Sequence, residues 1–307
     1  MQVTVVGSGF VGATTAMRVV QKGLAKVVVV DIIEDLPQGI SLDIGQSSAI
    51  EGFEPNIVGT NDYADTAGSG VVVLTAGLPR QPGMSRMDLI EKNAAIMRAV
   101  IGEVAPRSPD AILVVVANPL DEMTFLAADL SGFPKERVMG MAGVLDSSRL
   151  RYFIAEELGV SPSVVDAITL GSHGESMVPL PRQATVDGKP LADLVSEEAL
   201  ERLFKRTRDA GAEIVALLKK GSAYYAPSAA AAQMVNAVVD DTKEVLPVSA
   251  WCTGQYGIDG VYVGVPARLG RNGVEEIVEL DLNEDELAAV REAAEGIRGK
   301  CADLASI

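Results

Sequence analysis

Short runs of consecutive apolar residues punctuate the first half of the chain. Val3 to Val6, Val27 to Val30, Val71 to Thr75 and Ala111 to Val116 are short, rich in β-branched residues and apolar at successive positions. Such runs predict strands covered on both faces, as in a parallel sheet. Ile57-Val58 and the segment near Val138 predict two further strands. Between these runs lie longer stretches of mixed character. They predict helices after Gly12 to about Gln21, over 35–50, over Met87 to Val104, and between Pro119 and Val138. Strands alternating with helices predict an α/β doubly wound parallel sheet.

The second half has a different pattern. Val164 to Leu170 is strand-like, and an alternating hairpin is predicted around Val178 to Val186 with Asp187-Gly188 as its turn. Helices are predicted over about 196–219 and 227–241, and strands near 245–250, 261–265 and 274–280. A last helix starts at Asn283, with acids Glu284 to Glu286 in its first turn and an apolar face of Leu287, Val290, Ala294, Ile297, Cys301 and Leu304. The chain therefore divides into a nucleotide-type domain, 1–144, and an α+β domain, 145–307, with no repeats or long linkers.

A glycine motif gives the first domain a use. Gly7-Ser8-Gly9-Phe10-Val11-Gly12 follows the first strand and opens the first helix, and Asp31 ends the second strand 19 positions after Gly12. This is the dinucleotide-binding fingerprint of a Rossmann fold in its full context. Gly7 permits the tight turn, Gly9 lets a pyrophosphate approach the backbone, and Gly12 lets helix and strand pack. The helix N-terminus offers free N–H groups and a positive dipole end to phosphate. Asp31 can accept hydrogen bonds from a ribose diol and would repel a 2′-phosphate, which selects NAD over NADP. A ligand-free glycine turn is the plainer alternative, and the context argues against it.

Composition narrows the partners. The chain has 307 residues, is 48% hydrophobic and carries a net charge of −16. Such a charge repels nucleic acid and anionic membranes unless a basic patch is segregated, and none is visible. No apolar run approaches the ~20 residues of a membrane span, and Met1-Gln2 leads directly into a strand without a signal peptide, so a cytoplasmic protein is expected. Lysines number 10 against 16 arginines. An acidic, lysine-poor surface fits adaptation to high salt and fits an ordinary acidic protein equally well. Cys252 and Cys301 form no CxxC, so free thiols are expected and no metal site.

The candidate chemistry lies between Gly140 and Pro179. Asp146 and Arg149 are three residues apart, and His173 is the single histidine. A lone histidine is most often structural; beside a carboxylate and a guanidinium it has a further use. It moves a proton, the carboxylate orients it, and the arginine grips an anionic substrate. The segment 77–87, with two prolines and two glycines among Gly77-Leu78-Pro79-Arg80-Gln81-Pro82-Gly83-Met84-Ser85-Arg86, follows the fourth strand. At that sheet edge it is read as a lid carrying Arg80 and Arg86, rather than a solvated loop. Asn118, at the end of the fifth strand, faces the same edge and could bond a nicotinamide or a substrate hydroxyl.

With these residues in order the sequence resembles the lactate/malate dehydrogenase family over nearly its whole length. The 77–86 loop is similar to the malate-specific version of the branch closest to the lactate enzymes, as are Tyr256-Gly257-Ile258-Asp259 and Leu269-Gly270-Arg271-Asn272-Gly273-Val274. The resemblance implies NAD-dependent interconversion of malate and oxaloacetate by a homotetramer, or alternatively a dimer. It implies His173 as the acid/base, Asp146 as its partner, and Arg149 as a bidentate ligand of the substrate C1 carboxylate. Arg86 would polarise the carbonyl, Asn118 would touch substrate and cofactor, and Arg80 would bind the second carboxylate. Gly7, Gly9, Phe10, Val11, Gly12, Asp31, Asn93 and Asn118 would form the NAD site. Two after the histidine the family has Asp, where this chain has Glu175. Three rivals share parts of the pattern. A metal-requiring NAD-dependent glycosidase needs a cysteine–histidine metal site. An NAD-binding sensor would not need His173, Asp146, Arg149 and two lid arginines together. A lactate-type enzyme would need no Arg80.

Overall fold

The apolar runs form the centre of one sheet in the computed structural model, which describes residues 1–79, 86–174 and 176–304, apart from the side chains of Arg86 and Asp303. Strands β1 (Gln2–Val6), β2 (Lys26–Val30), β3 (Ile57–Thr60), β4 (Val71–Leu74), β5 (Ile112–Val115) and β6 (Val138–Gly140) lie parallel in the order 3-2-1-4-5-6. Helices α1 (Phe10–Gln21), α2 (Leu36–Glu51), α3 (Arg86–Arg107) and α4 (Leu120–Ser131) lie between these strands in sequence, and α5 (Gly143–Leu158) follows β6. Alternate strand residues serve opposite cores because successive side chains point to opposite faces. Val71, Val73 and Val114 pack with Ala16 and Val19 of α1, whereas Val72, Leu74 and Leu113 pack with Ile90 and Met97 of α3 and Met123 of α4. That two-sided burial explains why these strands read as unbroken apolar runs.

The second half continues the same sheet. The small strand β7 (Val165–Asp166) precedes β8 (Thr169–Gly171) and β9 (Met177–Pro179), and β10 (Thr185–Val186) and β11 (Lys189–Pro190) follow. Helices α6 (Glu197–Leu218) and α7 (Tyr225–Val239) lead to β12 (Val245–Thr253), β13 (Asp259–Gly270), β14 (Gly273–Ile277) and α8 (Glu284–Leu304). β12 pairs antiparallel with β6 at Ser249 and Gly140, and β13, β8 and β9 extend the sheet beyond it, with β14 also on β13. The two halves are thus joined edge to edge through β6 and β12. No helix among the described residues is long and apolar enough to cross a membrane.

Two expectations from the pattern need correction. The segment 178–186 is not one strand of a hairpin. β9 pairs with β8, a 3-10 turn occupies Pro181–Gln183, and β10 pairs with β11 and β7 in a separate three-stranded sheet. Pro179 and Pro181 lack the N–H that a continuous ladder needs. The run from 164 to 170 divides in the same way between β7 and β8, which belong to different sheets. The Asp187-Gly188 turn is where the dipeptide predicts it, with positive φ of 50° and 75° at its two residues.

The last helix begins as its sequence predicts. Asn283 Oδ1 accepts the Glu286 N–H at 2.8 Å and Glu286 Oε2 accepts the Asn283 N–H at 3.0 Å, a reciprocal cap. Cys252 and Cys301 are free and buried, and burial pushes both thiols up to about 12.

Candidate active site

The nucleotide end is built at the carboxyl edge of the sheet, between β1 and β4, where the strand order reverses. Gly7 sits at φ 99°, and a Cβ there would lie 2.8 Å from Thr75 Oγ1 and 2.9 Å from the Ala76 nitrogen. A Cβ on Gly12 would collide with the Gly7 carbonyl oxygen, so α1 seats directly on the turn. Nothing lies within 4 Å of the Cβ position of Gly9, which leaves that face of the turn open. Gly9 provides no side chain to cap α1, so the first N–H groups of that helix remain available to an anion.

Asp31 closes the cradle from β2. Its Oδ2 accepts the Ser8 N–H at 2.6 Å and the Ser8 hydroxyl at 2.8 Å, while Oδ1 accepts the Ile33 N–H at 3.0 Å. Burial acts to raise its pKa, but these hydrogen bonds outweigh burial and hold the carboxyl below the ordinary carboxylate range. Oδ1 keeps acceptor capacity for ribose hydroxyls. An open glycine turn, an uncapped helix start and an ionised acid fit a dinucleotide.

The second cluster joins parts of the chain that are distant in sequence. Asp146 lies in the first turn of α5, and His173 lies in the turn between β8 and β9. Two contacts align these elements. Gly143 starts α5, and a Cβ there would lie 2.7 Å from the Thr169 carbonyl oxygen and from Pro247 Cβ. The Thr169 N–H donates to Ser147 Oγ at 2.9 Å. Asp146 Oδ2 and His173 Nδ1 then meet at 2.8 Å, and Arg149 Nη1 donates to Asp146 Oδ1 at 3.3 Å. Asp146 is 2% exposed at its side chain, Arg149 12% and His173 18%. The imidazole therefore has one nitrogen held and keeps some access to the cleft.

The charges around His173 are unequal. Burial alone would lower its pKa. The Asp146 carboxylate, by charge and hydrogen bond, outweighs burial; Arg149 opposes that effect, Asp121 adds to it, and the pKa ends above its usual value. An imidazole held this way can take up or release a proton at its second nitrogen while Asp146 keeps its orientation. Burial also lowers the pKa of Arg149, and Asp146 offsets this in part. A guanidinium stays charged there.

One cleft is lined by Val11, Asn118, Arg149, His173, Arg208 and Ala223, among others. Asn118, Arg149, His173 and Val11 thus share a pocket, as the sequence suggests. Asn93 is 2% exposed and has a bracing contact set: its Oδ1 accepts the Leu78 N–H at 2.8 Å, and its Nδ2 donates to the carbonyls of Leu78 at 3.1 Å and Asn118 at 2.6 Å. It ties the base of the 77–87 segment to the strand end that carries Asn118. Phe10 is exposed and stacks on Tyr224 at 5.1 Å between ring centroids. Arg80 and Glu175 lie outside the described residues, as does the side chain of Arg86, the first residue of α3.

Asp121 belongs to the site and has no counterpart in the sequence reading. It is 1% exposed in the first turn of α4, and its Oδ2 accepts the Ser172 hydroxyl at 2.8 Å and the His173 N–H at 3.2 Å. Its Oδ1 accepts the Ser249 hydroxyl at 2.8 Å. Burial pushes the Asp121 carboxyl above the ordinary range, an effect only partly offset by the two hydroxyls. The residue anchors the histidine's backbone while Asp146 anchors its ring. An acid two positions after Asn118-Pro119 was the available signal, but acids in a first helical turn are common for dipole reasons.

Comparison with known proteins matches this architecture along the whole chain. Residues 1–140 match the family model for the lactate/malate dehydrogenase NAD binding domain, and residues 143–305 match that for the lactate/malate dehydrogenase alpha/beta C-terminal domain. The chain belongs to the lactate/malate dehydrogenase family. Within that family it is 52% identical over 303 residues to a malate dehydrogenase of Roseiflexus castenholzii, covering 99% of this chain and 98% of the relative. The solved malate dehydrogenase of Salinibacter ruber superposes with a TM-score of 0.95 at 48% identity, covering 100% of this chain and 98% of that one. A lactate dehydrogenase of Cryptosporidium parvum, solved with lactic acid and nicotinamide adenine dinucleotide, superposes with a TM-score of 0.96 at 41% identity, covering 100% of this chain and 98% of that one. This family member is an NAD-dependent 2-hydroxy acid dehydrogenase, with NAD as its cofactor.

Proposed function

We propose that the enzyme interconverts (S)-malate and oxaloacetate, with 1–144 holding NAD and 145–307 supplying the proton chemistry. The observation that carries the acid/base reading is the Asp146–His173 contact of 2.8 Å beside Arg149 in one cleft. Full-length relatives named malate dehydrogenase at about half identity support the substrate.

NAD, when bound, supplies or accepts the hydride. Gly7, Gly9, Phe10, Val11, Gly12, Asp31, Asn93 and Asn118 would hold it. Arg149 binds the C1 carboxylate with its remaining N–H donors. His173 removes the hydroxyl proton from malate, or returns it to the oxygen of the reduced ketoacid. Asp146 stabilises the imidazolium and fixes the ring. Arg86 polarises the carbonyl and Arg80 pairs with the second carboxylate as the lid excludes water.

The pH dependence follows from the direction of the His173 shift. Reduction needs imidazolium and oxidation needs neutral imidazole. With the pKa above the usual ~6.5, kcat/KM for oxaloacetate should hold as pH rises past that value and fall at a higher one. Malate oxidation should rise over the same window. Profiles of both directions that break at or below ~6.5 would contradict the proposed pairing.

Arg80 is the proposed substrate selector. A charge-assisted hydrogen bond contributes about 1.5–3 kcal/mol, roughly ten- to 150-fold, and pyruvate offers no second carboxylate to receive it. Arg80→Gln should therefore cut kcat/KM for oxaloacetate by at least that range while sparing pyruvate. An Arg80→Gln enzyme with an unchanged oxaloacetate-to-pyruvate ratio would remove Arg80 from this role.

A further inference from the structure

We infer that Arg208, on α6, is a second specificity-determining residue, a cation at the cleft that receives the distal carboxylate of the dicarboxylate; this rests on the substrate reading above. Three observations lead to it. First, Arg208, Gly211 and Val215 line the same cleft as Arg149 and His173. Their spacing of three and four residues puts them on one face of α6. That face is held close to the substrate-binding arginine: a Cβ on Gly211 would lie 3.7 Å from Arg149 Nη2.

Second, the other cations of α6 already have acidic partners. Arg202 meets Glu157 at 3.2 Å, Lys205 meets Asp209 at 2.6 Å, and Arg206 meets Glu156 at 2.6 Å and Glu213 at 3.0 Å. Arg208 has no hydrogen-bond or ion-pair partner among the described residues, although the chain has 42 acids to 26 bases. An exposed arginine that lines a cleft and has no acidic partner among the described residues is suited to a ligand anion.

Third, Arg149 and Arg208 are the two guanidinium cations among the described residues that line the cleft. Arg149 takes one carboxylate, while the wall beyond it is formed by Gly211, Val215, Ser222 and Ala223. A net charge of −16 repels a dianion at long range. A cation on α6 can offset that repulsion within the cleft itself.

The test uses full-length enzyme with saturating NADH and compares oxaloacetate with pyruvate, in wild type, Arg208→Gln and Arg208→Lys. Arg208→Gln should raise KM for oxaloacetate roughly tenfold with kcat unchanged and leave pyruvate kinetics as they were. Arg208→Lys should recover part of the loss. A wild-type preference for oxaloacetate that Arg208→Gln leaves intact overturns the role of Arg208 alone, and so does an equal loss on both ketoacids. Wild-type enzyme with no such preference overturns the dicarboxylate reading on which it rests.

Discussion

His173→Gln should lower kcat for oxaloacetate reduction by about two to four orders of magnitude, the range attributed to a positioned acid/base. Glutamine can still donate a hydrogen bond to Asp146, so the buried carboxylate that accepts at 2.8 Å from the ring keeps a partner. The backbone anchor at Asp121 is untouched by this change. Folding and cofactor binding should therefore survive, and NADH titration followed by fluorescence should return a Kd close to wild type. The pH break assigned to the imidazole should vanish from what activity remains. Retention of more than about a tenth of wild-type kcat would be incompatible with the 10²-fold lower bound.

Arg149→Gln should be nearly as severe, and it should act through a different parameter. A guanidinium has five N–H donors. Arg149 uses Nη1 on Asp146, and its Nε is buried without a partner among the described residues. A buried charge with donors left over is arranged for an incoming carboxylate. Removing one partner of a buried, hydrogen-bonded charge pair costs about 2–5 kcal/mol, or roughly 30- to several-thousand-fold in kcat/KM. Because the C1 carboxylate is common to oxaloacetate and pyruvate, both should lose alike. That symmetry separates Arg149 from Arg80 and Arg208, whose losses should fall on the dicarboxylate. Steady-state kinetics with the two ketoacids distinguishes the cases, and a selective loss on oxaloacetate would reassign Arg149 to the distal carboxylate.

The parts of the molecule legible in sequence are those whose cause is local. β1, the Gly7–Gly12 turn, α1 and Asp31 follow one another within a single βαβ unit, so the motif specified both the elements and their use. The apolar runs predicted the parallel strands because burial on both faces requires them. Asn283 and Glu286 marked the start of α8 because a reciprocal cap needs only those two residues. Proline disrupted the reading where alternation extended across Pro179 and Pro181, and one predicted hairpin became pieces of two sheets.

The site was legible in its residue types and illegible in its assembly. Asp146 and Arg149 share a helix face by spacing, but His173 reaches them only because Ser147 accepts the Thr169 N–H and Gly143 admits α5 close to β8 and β12. Asp121 lies 52 residues from His173 and contacts its backbone rather than its ring. No side-chain pattern announces such a contact. Arg208 was equally silent, since a charged residue on an amphipathic helix reads as solvated until its neighbours are seen to be paired while it has no partner among the described residues.

The most direct test of the whole account is NADH oxidation by the unmodified enzyme with oxaloacetate and with pyruvate, measured side by side at neutral pH. Oxaloacetate should turn over rapidly, and kcat/KM for pyruvate should be lower by at least the ten- to 150-fold expected for one unpaired charge-assisted contact, about 1.5–3 kcal/mol. Comparable kcat/KM values for the two ketoacids, or faster turnover of pyruvate, would contradict it.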